Sequence, residues 1–431
     1  MLYRLLCMCL VGVLCAVLPV SVDAAGVTTF NKFISADYWT SVNPNGDNVI
    51  LDAKGVEAFN SKVRAASRTV VDLTKYPSVV SGDSVKTKIM NYLVLEDDLY
   101  LHGNKVSENY KNILRKQTNV SAVPQNVKVQ YAVTVRRSNL RNLPTGEGLY
   151  YYAADRDFDA LQETALDQAE PVVVLHFSAN GYFYYVQAGN YSGWLSKYDI
   201  AFTDKKTWLE YAKPKSFLVV TGKNTVLKTG AEMISYQQGA KLPISAVQSD
   251  TYAVNAPMRG KDSKLIKTKV LVKKTNPDVH LGYLPYTSNN IIKAAFKFYG
   301  MPYGWGGLKN SVDCSSLVYN AYRTVGIYLP RNADEQEASA GVHHNLTTMS
   351  SQQRSDLIKK LMPGACLYMD GHTVMYVGQS GTVPYVIHSL GSYYNGGTRH
   401  AAMKVVVSDL SLQRSSGKTF LNDLTTAVEY K

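Results

Sequence analysis

Two amphipathic helices are predicted in the last third of the chain by the spacing of its apolar residues. From Asp313 to Val325 these residues recur at helical intervals, and Asp313 can cap the first turn while Gly326 can end the helix. An earlier stripe of the same kind begins at Ser288 and stops at Gly300. Each stretch has its own start and stop signals, so we expect two separate helices.

Strand patterns follow these helices. Two apolar stretches, 372–378 and 383–388, are separated by a short turn containing glycine, glutamine and serine, which predicts a β-hairpin. With the turn centred near Ser380, the end residues His372 and His388 would lie directly opposite each other. Cross-strand partners have Cβ atoms about 4.5–5.5 Å apart, so we expect the two imidazole rings to hydrogen-bond on one face of the sheet.

Upstream of this region the pattern changes to short alternating strands separated by turns, which is typical of small β-barrels. The predicted strands of a first barrel are 127–135, 172–177, 182–187 and 193–195, and those of a second barrel are 217–221, 269–273 and 281–284. The first hundred mature residues instead mix loops with helical stretches at 56–71 and 85–101.

These patterns, together with a length that exceeds a single hydrophobic core, predict a multidomain fold. The expected units are a signal peptide at 1–24, a mostly helical N-terminal stabilising segment at 25–124, two small β-barrels at 125–204 and 205–285, and a C-terminal α+β domain at 286–431.

Residues 1–24 have the layout of a secretory signal peptide, with an early positive charge, an apolar stretch and small residues before a cleavage site placed after Ala24. A retained membrane anchor is the alternative, but Pro19 interrupts the stretch, which is short against the ~20 residues of a spanning helix. Lipid attachment at Cys15 is disfavoured because a bulky residue precedes it. We expect an exported protein, periplasmic, extracellular or associated with the cell wall, without stable membrane insertion.

Positive charge is concentrated in the second predicted barrel. The whole chain has a formal net charge of +12, and between Asp204 and Lys274 fourteen basic residues accompany five acidic ones. Such a field favours acidic polymers or membrane surfaces as partners, although scattered solvated lysines are a simpler explanation. No arginine stripe, zinc-ligand spacing or RNA-binding signature accompanies the lysines in the sequence, which argues against nucleic acid.

Cysteine usage argues against a disulfide scaffold. Three of the five cysteines fall within the predicted signal peptide, so the mature chain keeps Cys314 and Cys366. A bridge between these two is an alternative in an oxidising compartment. Cys366 lies in a short apolar run after Pro363 and Gly364, which predicts a buried strand in which the thiol contributes to packing.

Cys314 has a setting that suits a nucleophile. It falls in the first turn of a predicted helix, just after the glycine-rich loop at 303–307. Free N–H groups and the dipole at a helix start favour a thiolate, which can lower the thiol pKa to about 3.5–7.5. An attacking thiol also needs a base held by a third polar group, which the predicted histidine pair would supply. A buried structural cysteine is the plainer alternative for such a residue taken alone.

The remaining candidates for chemistry are weaker. His343 and His344 are adjacent, so their side chains point apart in a helix or a strand, and His400 lies in a polar stretch as an outside candidate for the third position. No cluster of cysteines, histidines and carboxylates in the sequence has a zinc-ligand spacing. We therefore predict no metal and no cofactor.

Four motifs make the C-terminal domain resemble the NlpC/P60 cysteine peptidases, which have a papain-like fold. They are Pro302-Tyr303-Gly304-Trp305-Gly306-Gly307, Asp313-Cys314-Ser315-Ser316-Leu317-Val318, Gly326-Ile327-Tyr328-Leu329-Pro330-Arg331 and Gly371-His372-Thr373-Val374-Met375-Tyr376-Val377-Gly378.

Motifs upstream are similar to the bacterial SH3-type domains that precede such peptidases in cell-wall hydrolases. They are Arg137-Ser138-Asn139-Leu140-Arg141, Pro144-Thr145, Phe158-Asp159-Ala160-Leu161-Gln162 and Tyr191-Ser192-Gly193-Trp194. The resemblance implies that both predicted barrels are SH3-like.

The resemblance implies cleavage of the bond between γ-D-glutamate and a diamino acid, usually meso-diaminopimelate, in peptidoglycan stem peptides or muropeptides. Carried over by position, Cys314 would be the nucleophile, His372 the general base and then acid, and His388 the orienting residue. We expect the protein to act as a monomer.

Substrate-binding roles also follow from the resemblance. Asp313 and Ser315 would help to hold the free amine of a peptide that starts with L-alanine, and Tyr303 and Arg331 would line the cleft.

The sequence departs from the family pattern at two positions and leaves two alternatives open. Ser316 replaces the glycine usual after Cys-Ser, and Ala365 replaces the aspartate usual after Pro-Gly. A catalytically inactive wall-binding protein is one alternative reading. Amide or acyl transfer by the same thiol on the same scaffold is the other.

Overall fold

The computed structural model describes residues 26–27, 31–229 and 232–431. The predicted signal peptide lies outside these described residues. Within the described part of the chain, no helix combines the length and the apolarity needed to cross a bilayer.

The N-terminal segment consists of short helices and strands connected by loops. Its helices are α1 (Ala36–Ser41), α2 (Ala53–Ala66), α3 (Gly82–Met90) and α4 (Glu108–Gln117), with single 3₁₀ turns at Leu73–Lys75 and Val120–Ala122. Its strands are β1 (Val79–Ser81), β2 (Tyr100–Leu101) and β3 (Asn104–Lys105).

The predicted helix at 85–101 was wrong beyond Met90. The chain after Met90 runs as an irregular segment, and the backbone carbonyls of Glu96 and Asp97 accept hydrogen bonds from the ammonium of Lys111 on α4. Lys111 is almost completely buried, so these bonds satisfy a charge that burial would otherwise make costly. This tertiary contact outweighs the helical pattern of the segment.

The N-terminal segment packs into the core of the C-terminal domain. Trp39, Phe59 and Val63 are buried in the same cluster as the apolar face of the peptidase-like region. The side chain of Asn60 donates to the carbonyl of Gly326 over 2.8 Å and accepts from the N–H of Tyr328 over 2.9 Å. A fully buried large side chain contributes about 1.5–3 kcal/mol, so these contacts attach the segment firmly.

A seven-stranded antiparallel sheet follows. Its strands are β5 (Gln130–Thr134), β6 (Ser138–Arg141), β7 (Gln162–Leu166), β8 (Pro171–Phe177), β9 (Phe183–Gln187), β10 (Ser192–Ser196) and β11 (Ile200–Thr203), paired in the order β11-β5-β8-β9-β10-β6-β7. The short strand β4 (Asn126–Lys128) pairs instead with β1. A long excursion between β6 and β7 reaches the C-terminal domain.

The next unit begins with helix α5 (Lys205–Ala212) and contains a five-stranded antiparallel sheet and a hairpin. The strands are β12 (Phe217–Val220), β13 (Asn224–Thr229), β14 (Glu232–Gln237), β15 (Lys241–Val247), β16 (Thr251–Arg259), β17 (Leu265–Lys273) and β18 (Val279–Leu281). The sheet order is β17-β16-β15-β12-β18, and β13 pairs with β14. Exposed lysines of the basic region lie along β17, at the edge of the sheet.

The C-terminal domain has helices on both faces of a six-stranded antiparallel sheet. The helices are α6 (Ser288–Phe296), α7 (Cys314–Arg323), α8 (Ala333–Glu337), α9 (Ser351–Ile358) and α10 (Phe420–Asp423), and a 3₁₀ segment spans Trp305–Asn310. The strands are β19 (Val342–Asn345), β20 (Cys366–Met369), β21 (His372–Ser380), β22 (Val383–Asn395), β23 (Thr398–Asp409) and β24 (Thr426–Glu429), in the order β19-β24-β20-β21-β22-β23.

The predicted register of the histidine hairpin was wrong. The turn is formed by Gly381 and Thr382 rather than centred on Ser380, because Gly381 supplies the positive φ of +60° that a tight turn needs. A β-bulge between Tyr376 and Gly378 shifts the ladder of β21 and β22 by one residue, so Met375 pairs with Ile387. Continued along the strands, this register makes His372 and His388 diagonal neighbours instead of direct partners.

Candidate active site

Cys314 occupies the first position of α7, and Asp313 caps that helix. The carboxylate of Asp313 accepts a hydrogen bond from the N–H of Ser316 over 2.9 Å, and the hydroxyl of Ser316 accepts one from the N–H of Asp313 over 2.8 Å. These reciprocal bonds form a capping box. Ser316, which departs from the family glycine, therefore stabilises the helix start that carries the thiol.

The glycine-rich loop before α7 fits beneath the first barrel because two of its residues lack side chains. Gly306 and Gly307 have φ angles of +54° and +79°, and a Cβ on Gly306 would lie 2.5 Å from Cγ of Gln162. Gln162 instead donates to the carbonyl of Gly306 over 2.9 Å. The indole N–H of Trp305 donates to the carbonyl of Asp159 over 3.0 Å. The barrel thus holds the loop that leads to the thiol.

The two histidines of the hairpin are hydrogen-bonded to each other. Nε2 of His372 lies 2.8 Å from Nδ1 of His388, and Nε2 of His388 lies 3.0 Å from the hydroxyl of Ser408. The ring of Phe420 packs edge-on against both imidazoles, with centroids 5.8 Å away in each case. Diagonal neighbours on a sheet are within reach of long side chains, so the contact forms despite the shifted register.

Cys314 lies against the beginning of β21. The backbone N–H groups of Thr373 and Ser315 lie near its sulfur and act to lower the pKa of the thiol. Because Thr373 directly follows His372, the thiol lies near the backbone of the strand that carries the imidazole. His372 uses Nε2 to contact His388, which leaves its Nδ1 free of that bond.

Burial keeps both reacting groups neutral at physiological pH. It raises the pKa of the Cys314 thiol to about 11, an effect to which the charge of Asp313 adds, whereas the N–H of Thr373 and the Arg331 charge oppose it. Burial also lowers the pKa of His372 to about 3, and the positive charge of Arg414 acts in the same direction. The lowered thiol pKa expected from the sequence was therefore wrong, because desolvation outweighs the helix start.

Arg331 forms an ion pair with Asp313, the residue that caps α7. Its Nη2 lies 2.6 Å from Oδ2 of Asp313, its Nη1 donates to the hydroxyl of Ser315 over 2.9 Å, and its Nε donates to Oγ1 of Thr164 over 2.8 Å. Burial alone would raise the pKa of Asp313, but the charge and hydrogen bonds of Arg331 hold it below its ordinary value. Arg331 is only 4% exposed, so its side chain lies buried beside the cap residue Asp313.

Tyr303 lies between the thiol and the first barrel. It is buried, and its ring contacts the ring of Phe158 from the excursion after β6, with centroids 5.6 Å apart. Burial raises the pKa of Tyr303 well above its ordinary value, and the nearby Cys314 adds to the effect. The phenol therefore stays protonated and can donate a hydrogen bond.

The other candidates of the sequence make contacts elsewhere. His343 bonds the carbonyl of Glu337, His344 pairs with Glu429 over 3.3 Å, and the ring of His400 stacks on that of Tyr393. Among the described residues no group of three histidines, cysteines or carboxylates is arranged to hold a metal ion.

Cys366 is a free and completely buried thiol on β20. Cys314 is also free, so the alternative of a disulfide between these two residues was wrong. Cys366 packs among the buried aromatic residues of the C-terminal core, as the apolar run around it predicted. Ala365, the second departure from the family pattern, is buried in the cluster on the other face of the sheet.

Three residues near the site were not identified from the sequence. Ser408 contacts the histidine pair, and Thr164 contacts Arg331, but each is far from its partner along the chain. Glu163, next to Thr164, accepts hydrogen bonds from the hydroxyl of Tyr191 and from Asn142. In the sequence, the one feature that pointed to Glu163 was its position directly after the Phe158–Gln162 motif.

Comparison with known proteins identifies two domains in the chain. Residues 149–196 match the SH3 domain family of the SH3b1 type, and residues 300–404 match the NlpC/P60 family. Both matches fall within the regions to which the sequence motifs pointed.

Three relatives illustrate the similarity. The chain is 26% identical over 233 residues to dipeptidyl-peptidase 6 of Lysinibacillus sphaericus, covering 51% of this chain and 78% of that protein. It is 26% identical over 158 residues to the gamma-D-glutamyl-L-lysine dipeptidyl-peptidase of Bacillus subtilis (strain 168), covering 35% of this chain and 47%, about half, of that protein. A solved NlpC/P60 endopeptidase from Photobacterium damselae subsp. piscicida shares the fold, with 17% identity, a TM-score of 0.71 and coverage of 90% and 94% of the two chains.

Proposed function

Because the C-terminal domain of this chain belongs to the NlpC/P60 family, we propose that the protein is a cysteine endopeptidase that hydrolyses peptidoglycan stem peptides between γ-D-glutamate and a diamino acid, usually meso-diaminopimelate. The observation that carries this proposal is the position of the Cys314 thiol at a helix start, against the strand that begins with the hydrogen-bonded His372. The named activity of the Bacillus subtilis relative supports the type of bond.

The first chemical step forms a thioester. The sulfur of Cys314 attacks the γ-glutamyl carbonyl carbon while its proton moves to Nδ1 of His372. Backbone N–H groups at the start of α7 stabilise the oxyanion. The tetrahedral intermediate collapses as the carbon–nitrogen bond breaks, and the leaving amine takes the proton from His372. Water then attacks the thioester with His372 as base, which releases the acid and restores the thiol.

The resting pair is neutral, so proton transfer accompanies the attack. Burial favours the thiol form of Cys314 and the uncharged form of His372. An ion pair would have to form in a dry site, where His388 can stabilise the imidazolium through the bond to Nε2. His388 therefore acts as the orienting third residue.

The contacts between the first barrel and the loop beside the thiol support a preference for small substrates with a free amino terminus. Phe158 and Asp159 contact Tyr303 and Trp305 at the loop beside the thiol. A wall in this position shortens the cleft on one side, so we infer that muropeptides with a free N-terminal L-alanine are better substrates than intact cross-linked peptidoglycan.

The amine of such a substrate needs a carboxylate. Asp313 is engaged by Arg331, and Ser315 also contacts that guanidinium, so these two residues would share their contacts with the substrate. Glu163 offers a second carboxylate, bonded to neutral donors rather than to a cation in the described part of the chain. Burial raises the pKa of Glu163, and an incoming ammonium would favour its ionised form.

The domain assignment is part of the proposal. We infer an N-terminal segment at 25–124, SH3-like barrels at 125–204 and 205–285 and a peptidase domain at 286–431, following a signal peptide at 1–24. The family match and the sheet at β5–β11 support the first barrel. The sheet at β12–β18 supports the second. We propose that the protein acts as a monomer on the extracellular or periplasmic side, where peptidoglycan lies.

The test is hydrolysis of L-Ala-γ-D-Glu-meso-diaminopimelate by purified protein, followed by mass spectrometry. We expect L-Ala-D-Glu and free diaminopimelate from the wild type and no product from Cys314→Ala with an unchanged circular dichroism spectrum. Full turnover by Cys314→Ala would disprove the proposal. Binding without turnover by reduced wild type would indicate an inactive wall-binding protein, and products joined to an added amine would indicate transfer.

A further inference from the structure

We propose that Ser408 is a positioning residue that accepts the Nε2–H of His388 and so stabilises the catalytically active tautomers of His388 and His372. The inference rests on the proposed peptidase function and on a chain of contacts that continues beyond the histidine pair. Nε2 of His372 contacts Nδ1 of His388 at 2.8 Å, and Nε2 of His388 contacts the hydroxyl of Ser408 at 3.0 Å.

The chain of bonds can run in only two directions. A neutral imidazole has one N–H and one bare nitrogen, so each ring in the chain donates on one side and accepts on the other. If His388 donates from Nε2 to Ser408, its bare Nδ1 accepts from Nε2–H of His372. Nδ1 of His372 is then bare and can take the proton of the Cys314 thiol.

The opposite direction is inactive. If the Ser408 hydroxyl donates to Nε2 of His388, then Nδ1 of His388 carries the proton and donates to His372. The proton of His372 then sits on Nδ1, so that nitrogen cannot act as a base toward the thiol. Which nitrogen is protonated is set by the bond that the other nitrogen makes, and the Ser408 hydroxyl supports the active form by acting as the acceptor at the end of the chain.

Burial makes this selection strong. His388 and Ser408 are 1% and 0% exposed, and Phe420 covers both imidazoles. A buried N–H without an acceptor is costly, so water is a poor substitute for the serine hydroxyl. In Ser408→Ala the active direction would leave Nε2–H of His388 unsatisfied, which shifts the population toward the inactive direction.

Ser408 is held for this role by its strand. It lies on β23 and pairs with Val386 on β22, while His388 pairs with Val406 on the same two strands. The hydroxyl is thus presented by two adjacent strands whose register is fixed over most of their length.

The test combines kinetics with ¹⁵N spectroscopy of the histidine rings. For Ser408→Ala we expect kcat on the tripeptide to fall about 10- to 100-fold with KM within about twofold, because the variant alters the base and leaves the substrate contacts intact. The ¹⁵N signal of Nε2 of His388 should change from that of a protonated to that of a bare ring nitrogen. Ser408→Thr, which keeps the hydroxyl, should retain the wild-type signal and most of the activity.

Ser389→Ala provides the matched control. Ser389 is a completely buried serine next to His388, but its hydroxyl donates to the carbonyl of Val312. Its loss should leave the ring signals of both histidines unchanged. Wild-type kcat in Ser408→Ala, or a loss of kcat without any change in the ¹⁵N signals, would overturn the proposal.

The spectroscopic result does not depend on the identity of the substrate. If the wild type cleaves no muropeptide, the proposed function fails while the tautomer of His388 in wild type and Ser408→Ala still decides this inference. A wild-type spectrum with Nε2 of His388 unprotonated would refute it.

Discussion

Nε of Arg331 donates a hydrogen bond to Oγ1 of Thr164 over 2.8 Å, and this contact connects the C-terminal domain to strand β7 of the first barrel. The same guanidinium neutralises Asp313, the cap of the helix that carries Cys314. The sheet that contains β7 therefore helps to hold the thiol in place through one buried arginine.

Thr164→Val should uncouple this contact while preserving the shape of the side chain. The change leaves a buried guanidinium N–H without its acceptor, which costs about 1–3 kcal/mol. We expect a corresponding loss in the free energy of unfolding, measured by chemical denaturation, and a several-fold lower kcat/KM. Thr164→Ser keeps the hydroxyl and serves as the control. Equal stability and activity in Thr164→Val and the wild type would show that the contact contributes to neither.

Ser316→Gly should cost stability and leave activity nearly intact. The glycine removes one half of the capping box and adds backbone freedom at the third position of α7, at a cost of about 1–2 kcal/mol. Asp313 keeps its own bond to the N–H of residue 316, so the thiol keeps its position. The measurement is thermal unfolding together with kcat/KM on the tripeptide. A loss of kcat larger than tenfold with unchanged stability would contradict the assigned role.

The histidine pair shows what the sequence could and could not predict. Residue type and strand pattern placed His372 and His388 on one hairpin, and their hydrogen bond is present. The register was wrong because Gly381 sets the turn and a β-bulge between Tyr376 and Gly378 shifts the ladder, and the pattern of apolar residues fixes neither feature. The two imidazoles still meet, because side chains of this length reach each other across the diagonal.

The remaining features depend on contacts between distant parts of the chain. Lys111 binds carbonyls of the irregular segment that follows α3, and Thr164 contacts Arg331 from a distant part of the chain. The pKa of Cys314 depends on the desolvation that the assembled domains produce. The local pattern of apolar residues contains no information on such distant partners. The motifs around Cys314 lie within one loop and one helix, so their structure could be predicted from the sequence.

The pH dependence of kcat/KM should be unusually flat. Because the pKa of His372 is lowered to about 3, the base stays uncharged as the pH falls to about 5. Because the pKa of Cys314 is raised to about 11, the thiol keeps its proton as the pH rises to about 9. With the N-acetylated tripeptide, which has no free α-amino group to titrate, we expect less than a threefold change in kcat/KM over this interval, with folding followed by circular dichroism at each pH. An acidic limb near pH 6.5 would show that His372 is solvated in the working enzyme.

Glu163→Gln should affect the recognition of a free amine. The substitution keeps the shape of the side chain and one acceptor oxygen, replaces the other oxygen with a donor, and removes the charge that an ammonium would contact. For the tripeptide we expect KM to rise about tenfold or more with a smaller change in kcat, since hydrogen bonds to charged groups contribute about 1.5–3 kcal/mol. An N-acetylated tripeptide, which lacks the charge, provides the comparison. A similar effect of the substitution on both peptides would show that Glu163 does not bind the free amine.

Lysines on β17 should determine how the protein attaches to acidic surfaces of the wall. Lys267, Lys269 and Lys273 are exposed and alternate along one face of this edge strand, with Leu271 exposed among them. Lys267 contacts Glu210 over 3.0 Å, so part of its charge is already compensated. The three ammonium groups together form a row that matches a repeating negative polymer better than a single small anion.

The triple variant Lys267→Gln, Lys269→Gln and Lys273→Gln should bind peptidoglycan sacculi bearing acidic polymer several-fold more weakly in co-sedimentation at about 50 mM salt. The difference should nearly vanish at about 500 mM, where the Debye length is only a few ångströms. A control variant with glutamine at Lys54, Lys62 and Lys116 removes the same charge from exposed positions of the N-terminal segment. Because these positions lie on helices α2 and α4 rather than on β17, equal weakening by both variants would mean that net charge, not the lysine row, governs attachment. Hydrolysis of the soluble tripeptide should be unchanged in the β17 variant, since attachment and chemistry reside in different domains.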